Sequence, residues 1–389
     1  MKNAVKNISA IRRETFWRVL SICFFCALVC SSASALDRDR TLAQFHHTAW
    51  TARDGAPSQI SALAQTADGY LWIGSAKGLF RFDGVRFEPY APPSGVNLPS
   101  HNIYALMPTP DGGLWISFRP SGLGFVKDGR MEVFTRSEEI PKSQVYCFAR
   151  DFDNRIWAGT HDGLALRDGS NWIEIGSDWN FKPQRIYTLF VDKDGTLWVA
   201  TDETIVFLTR GSKTFRATGA RIGEVPRLAQ ANDGRLWMAE TSRSVRPVPV
   251  SGQNSGAEET EILTGAGDAI FDREGTLWIT DQQGVRRVRF PERLGNRKIP
   301  PGDSAIELFG EQNGLSGDFA NHVLEDREGN VWVSTARGLD RFRYSHFVTV
   351  KASQGHQSFT LLAGDNGEVW AGSATPKPLM LIRGEETAT

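Results

Sequence analysis

Eight near-copies of one phrase recur along the chain. They read "ADGYLWIGS" (67–75), "PDGGLWISF", "FDNRIWAGT", "KDGTLWVAT", "NDGRLWMAE", "REGTLWITD", "REGNVWVST" and "DNGEVWAGS". Each places a Gly or Asn three positions before a Trp: Trp72, Trp115, Trp157, Trp198, Trp237, Trp278, Trp332 and Trp370, at spacings of 43, 42, 41, 39, 41, 54 and 38. A fixed period with a turn signal in every copy marks a repeat architecture. The segments are too short for βαβ units, and no 3.6-residue apolar pattern is sustained after the N-terminal leader.

One period, 58 to 98, shows what the unit must be. "ISALAQT" reads as a strand, "ADGY" as a hairpin turn, and "LWIGS" as a second strand; "LFRFDG" and "VRFEPYA" supply a third and a fourth. Four antiparallel strands per period make the blade of a β-propeller. In "LWI" both strand faces are apolar, as expected of a strand covered on both sides. Two positions after the tryptophans stand Gly74, Ser117, Gly159, Ala200, Ala239, Thr280, Ser334 and Gly372, all small and on the same face as the Trp. They are expected to make room for an aromatic ring from the same or an adjacent blade, with the tryptophans as core wedges. "DKDG" (192–195) and "DREG" (272–275, 326–329) lack the further acidic ligands of a calcium loop and read as structural hairpin turns. No metal or cofactor is expected.

The N-terminus differs in kind. Lys2, Lys6, Arg12, Arg13 and Arg18 precede the apolar run "VLSICFFCALVC" (19–30), and "ASA" (33–35) offers small residues for cleavage. Residues 1–35 therefore read as a secretory signal peptide, which predicts a periplasmic or secreted protein. Three of the four cysteines lie in this leader, so Cys147 is expected as a buried, inert thiol with no disulfide partner. A formal net charge of -1 provides no global field for nucleic acid or an anionic membrane.

The segment "FHHTAWTARDGAPS" (45–58) matches the form of "IELFGEQNGLSG" (306–317), a strand followed by a polar loop. Residues 45–52 are thus an outer strand without a blade of its own, expected to complete the last blade of a ring and remove a free edge. Two closures fit: a seven-bladed ring completed at the Trp332 blade, or an eight-bladed ring completed at the Trp370 blade. The residues alone lean to eight, because seven leaves a partial blade and the Trp370 unit lacks an obvious fourth strand after "LMLIRG".

"FHHTAWTARDGAPSQISALAQTADGYLWIGSAKGLFRFDGVRFEPY" and "EQNGLSGDFANHVLEDREGNVWVSTARGLDRFR" (311–343) resemble the periplasmic sensor region of propeller-type two-component histidine kinases, and the likeness extends over 41 to 383. That family typically carries two seven-bladed propellers, a small β-sandwich, a membrane span and a kinase. The resemblance implies seven blades over 36–345, with 346–389 as the start of a second ring. It also implies an extracytoplasmic sensor of carbohydrate-type ligands. A kinase core is not recognisable in the chain, so a sensor portion without phosphotransfer is expected.

Enzyme readings stay open beside it, as a propeller glycosidase or, through similarity to the virginiamycin-inactivating lyase repeat, a lyase. A third reading is a protein-binding or homodimerising platform. The histidines, His46, His47, His101, His161, His322, His346 and His356, are scattered without an acid–base or metal motif, so no catalytic residue is expected. In a propeller, the loops entering each inner strand and those joining the second and third strands gather on one face. The entering loops end in Gln59, Asn102, Gln144, Arg185, Arg227, Asn321 and His322; the second set offers Lys77, Arg119, His161 and Arg337. Together they are the candidate ligand residues, suited to a hydroxyl-rich or acidic ligand.

Overall fold

The repeat phrase folds as a hairpin because its turn residues adopt a backbone that others resist. Gly69, Gly112, Gly195, Gly234, Gly275 and Gly329 hold φ between 81° and 90°, and Asn154 takes the same left-handed place at 62°. Glycine meets no Cβ clash there, and Asn is the side chain that best tolerates it. Six residues before the Trp, a polar side chain closes the turn from inside. The indole Nε1 of Trp157, Trp198, Trp278 and Trp332 donates to Oδ2 of Asp151, Asp192, Asp272 and Asp326, each at 2.8 Å. Trp72 donates to Thr66 Oγ1, also at 2.8 Å. The second oxygen of Asp272 accepts the backbone N–H groups of Glu274 and Thr276 at 3.1 and 2.8 Å. Burial pushes the Asp272 carboxyl above its ordinary pKa, against the pull of these donors. In the fifth repeat this position is Ala231, and Trp237 Nε1 is buried with no protein acceptor.

The computed structural model describes residues 36–135, 140–249, 260–345, 359–364, 368–373, 379–383 and 386–388. The expected signal peptide lies outside them. The described residues hold eight sheets, antiparallel but for one edge strand of the fifth, and no α-helix, only short 3-10 turns. Sheets one to four run in chain order from the inner strands Ile60–Gln65, Ile103–Pro108, Val145–Arg150 and Ile186–Val191. Sheets five to seven start from Arg227–Gln230, Asp268–Phe271 and Ala320–Glu325. Second strands such as Leu71–Ser75 and Val331–Thr335 are buried along their whole length, while that of the eighth sheet is only half-buried.

Seven of the eight repeat tryptophans wedge their sheets against a neighbour. Trp72 packs with Ile103 and Phe118, Trp115 with Val145, Trp157 with Ile186, and Trp198 with Leu228. Trp237 packs with Ile279, Trp278 with Val331, and Trp332 with Ile60 and Phe82, which brings the seventh sheet against the first. The small residue two after the Trp makes room, though not for an aromatic ring. An added Cβ at Gly74 would lie 2.6 Å from Ile103 Cγ2, and one at Gly159 would lie 2.5 Å from Ile186 Cγ2. The space belongs to the first aliphatic residue of the neighbouring inner strand, because that strand crosses directly over the small residue.

The strand His46–Thr51 pairs with Gly338–Arg343, so the N-terminal strand lies in the Trp332 sheet. Trp50 stacks on Trp332 with centroids 5.7 Å apart and meets Phe82 at 5.0 Å. The anchoring extends further upstream than the sequence pattern showed. Leu36, Leu42 and Phe45 are buried beside Trp278 and Phe342. The fully buried Arg287 stacks between Phe45 and Trp278 and donates to the carbonyls of Asp37 and Arg40. The long spacing between Trp278 and Trp332 also has a structural cause. The inserted residues place Lys298–Ile299 as a parallel fifth strand on Glu261–Ile262 of sheet five. In the eighth sheet, Glu386–Ala388 pairs with Leu379–Arg383. The Trp370 unit therefore has a fourth strand of its own, contrary to the sequence expectation, with Glu386 paired to Arg383 only three residues after it.

Three outcomes follow from these contacts. Asp272→Ala strands the Trp278 N–H and two backbone donors in a buried site and should cost about 2–4 kcal/mol in urea unfolding. Ala231→Thr restores an acceptor for Trp237 and should raise stability; the reverse order would contradict the turn analysis. Trp50→Ala should cost roughly 3 kcal/mol by removing the stacked ring between the two end sheets, and an unchanged urea midpoint would show that the N-terminal strand adds nothing.

Candidate functional site

Five of the inner strands carry an irregularity at their start. Register slips between Ile60 and Ala62, Ile103 and Ala105, Val145 and Cys147, Ile186 and Thr188, and Ala320 and His322. The extra residues are Ser61, Tyr104, Tyr146, Tyr187 and Asn321. A bulge of this kind frees its side chain from the pleat and re-aims it. Ser61 turns back to tie two sheets, donating to the carbonyl of Ile103 at 2.6 Å. The three tyrosines instead form a half-buried aromatic row on sheets two to four, where the Tyr104 and Tyr146 centroids are 5.1 Å apart.

The two expected sets of loops do meet on this face. The N–H of Arg119 donates to Asn102 O at 2.8 Å, that of His161 to Gln144 O at 3.1 Å, and that of Ala336 to Phe319 O at 2.8 Å. Beside the tyrosines, the Arg119 guanidinium stacks 4.2 Å from the Tyr104 centroid, and Arg185 lies 6.0 Å from that of Tyr187. Hydrogen bonding to Tyr187 raises the Arg185 pKa further above its already high ordinary value. His161 Nε2 is 2.6 Å from an Arg185 nitrogen and Nδ1 is 2.6 Å from Asp162 Oδ1. A guanidinium only donates, so Nε2 accepts and the His161 proton sits on Nδ1, facing Asp162.

Across the same face lies a cavity of about 530 Å³ lined by Gln59, Arg227, Thr241, Asp281, Asn321 and His322, with the exposed Phe319 among its walls. Arg227, Asp268 and His322 occupy equivalent places on sheets five to seven, opposite Ala239, Thr280 and Ser334. Earlier sheets have Ala62, Ala105, Cys147 or Thr188 there. Arg227 Nε is buried with no protein acceptor. His322 Nδ1 approaches Asp268 Oδ2 at 3.6 Å, and Asp268 also accepts the Val323 N–H at 3.3 Å. Asp281 is committed elsewhere, bridged to Arg286 and accepting from Thr264 at 2.9 Å.

The sequence-predicted residues therefore fall into groups. Gln59, Arg227, Asn321 and His322 share the cavity. Arg119, His161 and Arg185 flank the tyrosines. Lys77 lies apart in a cleft of about 500 Å³ with His101 and Tyr90. Arg337 is exposed and paired with Glu311 at 2.6 Å. The Gln144 amide is used structurally, donating to Ser117 Oγ and to the carbonyls of Phe118 and Val145. Asn102 contributes its backbone to the loop tie. Sequence reasoning overlooked Asp268 and the tyrosines. The tyrosines had a visible signal, since "IY", "VY" and "IY" open three successive inner strands.

A family model described as two component regulator propeller matches residues 54–77, 97–119, 139–162, 180–203 and 314–337. The chain thus carries repeats of this type, and the five matched stretches contain the five bulged strands. Sheets five and six, which place Arg227 and Asp268, fall outside them. The fold is similar to the extracellular domain of a hybrid two component system from B. thetaiotaomicron (TM-score 0.66, 15% identity, 89% of this chain and 49% of that one). It is also similar to the extracellular domain of a one component system from B. thetaiotaomicron (TM-score 0.61, 19% identity, 90% and 47%). Virginiamycin B lyase from Staphylococcus aureus shares the fold as well (TM-score 0.57, 15% identity, 78% and 100%). The chain spans about half the length of the two extracellular domains. No curated protein matches it. Among the described residues, no helix is long and apolar enough to cross a membrane.

Cys147 sits below the bulge of sheet three. The residue as a whole is only partly covered, yet its thiol is desolvated and its pKa is pushed up to about 12. The native chain should therefore resist thiol-specific reagents at pH 8 and react only on unfolding. Stoichiometric labelling of the folded protein would contradict this placement.

Proposed function

We propose that this chain, built of two component regulator propeller repeats, is an extracytoplasmic ligand-sensing module of a two component regulator. In this reading residues 1–35 direct export. Residues 36–345 form a seven-bladed ring clasped by the N-terminal strand, and 346–389 begin a second ring. Pairing of His46–Thr51 with Gly338–Arg343, and packing of Trp332 on Ile60, support seven blades over eight. The ligand is a saccharide held at the mouth of sheets five, six, seven and one.

The observation that carries this reading is the place where the repeat changes. Structural repeats alone would keep Ala, Thr or Cys at the inner-strand position paired with the small residue two after the Trp. Sheets five to seven put Arg227, Asp268 and His322 there, and Arg227 and His322 line a cavity sized for a small ligand. These side chains do not complete the hydrophobic wedges, and Arg227 keeps an unmatched buried donor. Such departures from local consistency are what a binding site costs a fold.

A lyase is the second reading, favoured by the approach of His322 to Asp268 and by the shared fold with a lyase. The readings separate in one experiment. The exported chain is heated with a panel of oligosaccharides, and the sugars are analysed afterwards. A sensor gains about 2.7 kcal/mol at a ligand concentration of roughly a hundred Kd and returns every sugar intact. Arg227→Ala should abolish the gain while leaving the unliganded melting temperature within a few degrees. Turnover that disappears in His322→Ala would establish the enzyme instead.

A further inference from the structure

We infer that the ligand of this face carries an oxyanion, a carboxylate or sulfate on a saccharide, and that the wall formed by Arg119, Tyr104, Tyr146, His161 and Arg185 recognises it. This rests on the saccharide reading above and sharpens it. Three successive sheets contribute one re-aimed tyrosine each, and the cations sit among them. Arg119 has no carboxylate partner among the described residues. Its plane lies against Tyr104, which fixes the guanidinium and leaves its N–H edge able to donate. Arg185 is held by His161, and His161 by Asp162, so a single carboxylate positions the pair from the side. On the next sheet Arg227 adds a third guanidinium.

The cavity-lining Asp281 is bridged to Arg286, and Asp268 lies outside that lining, accepting the Val323 N–H and 3.6 Å from His322. What remains is a row of planar, preorganised donors interleaved with phenols. Guanidinium forks match carboxylate and sulfate oxygens in pairs, and phenol hydroxyls serve sugar hydroxyls as donor or acceptor. A neutral sugar would leave the guanidinium groups with only water to pair.

The test uses three probes on the whole exported chain by titration calorimetry: trigalacturonate, its methyl ester, and a sulfated neutral trisaccharide. Either charged probe should bind at least about tenfold more tightly than the ester, and raising salt from about 50 to about 300 mM should erode that advantage. Tighter binding of trigalacturonate identifies carboxylate, and of the sulfated sugar, sulfate. Arg119→Ala with Arg185→Ala should remove the preference, while Arg337→Ala, paired with Glu311 away from the wall, should leave it intact. Both variants are checked for an unchanged melting temperature; if the double variant melts early, Arg119→Ala alone, at an exposed position, serves instead. Equal binding of ester and acid, or an undiminished preference in the double variant, would overturn the anion inference and leave the sensor reading standing. Failure of every charged and neutral sugar to bind would overturn both.

Discussion

The buried indole N–H sets the frame on which every other contact is hung. A tryptophan large enough to wedge two sheets apart carries a polar atom into the core, and that atom must be matched. The chain matches it locally, with a carboxylate or hydroxyl six residues earlier, at Asp151, Asp192, Asp272, Asp326 and Thr66. The same Asp turns its other oxygen to the backbone of the hairpin. Turn, strand pairing and core wedge are thereby one cooperative unit. The fifth repeat, with Ala231, shows the unit surviving without the acceptor when the hairpin and wedge contacts remain.

Once each sheet holds a fixed wedge, the spacing between sheets follows. The small residue two after the Trp lets the neighbouring inner strand cross close by, as Ile103 does over Gly74 and Ile186 over Gly159. A methyl group added at either glycine would intrude on packed carbon atoms. The same close approach brings the bulged starts of successive strands side by side. The packing that stabilises the fold therefore also assembles the polar face, and the face has a rigid floor.

On that face the departures from the repeat are informative. Sheets two to four offer Tyr104, Tyr146 and Tyr187 with arginines stacked among them; sheets five to seven offer Arg227 and His322 lining a cavity, with Asp268 next to His322. Neither set improves the core. The arginines that do serve structure behave differently: Arg287 is sealed between Phe45 and Trp278, and Arg341 lies between Trp50 and Trp332. Arg287 also donates to backbone carbonyls and pairs with Glu307, and Arg341 rests on its two rings, whereas Arg119 presents itself to solvent.

By itself the sequence determined the unit. The Gly or Asn three before each Trp, the apolar opening of the second strands and the forty-residue period are local properties, and local torsions and strand alternation suffice to read them. The N-terminal strand was legible too, because its pattern matches a fourth strand without the three before it. Only the tertiary structure decided which sheet that strand joins, and how deep residues 36 to 45 run beneath Arg287, since both depend on contacts between residues about 250 to 300 positions apart. It also decided the site. Polar loop residues such as Arg119, Gln144, Arg227 and Arg337 look alike along the chain. A stacked ring, a set of nearby carbonyls, a shared cavity or a paired Glu311 separates them, and each of those is a fact of distance in space rather than of order in sequence.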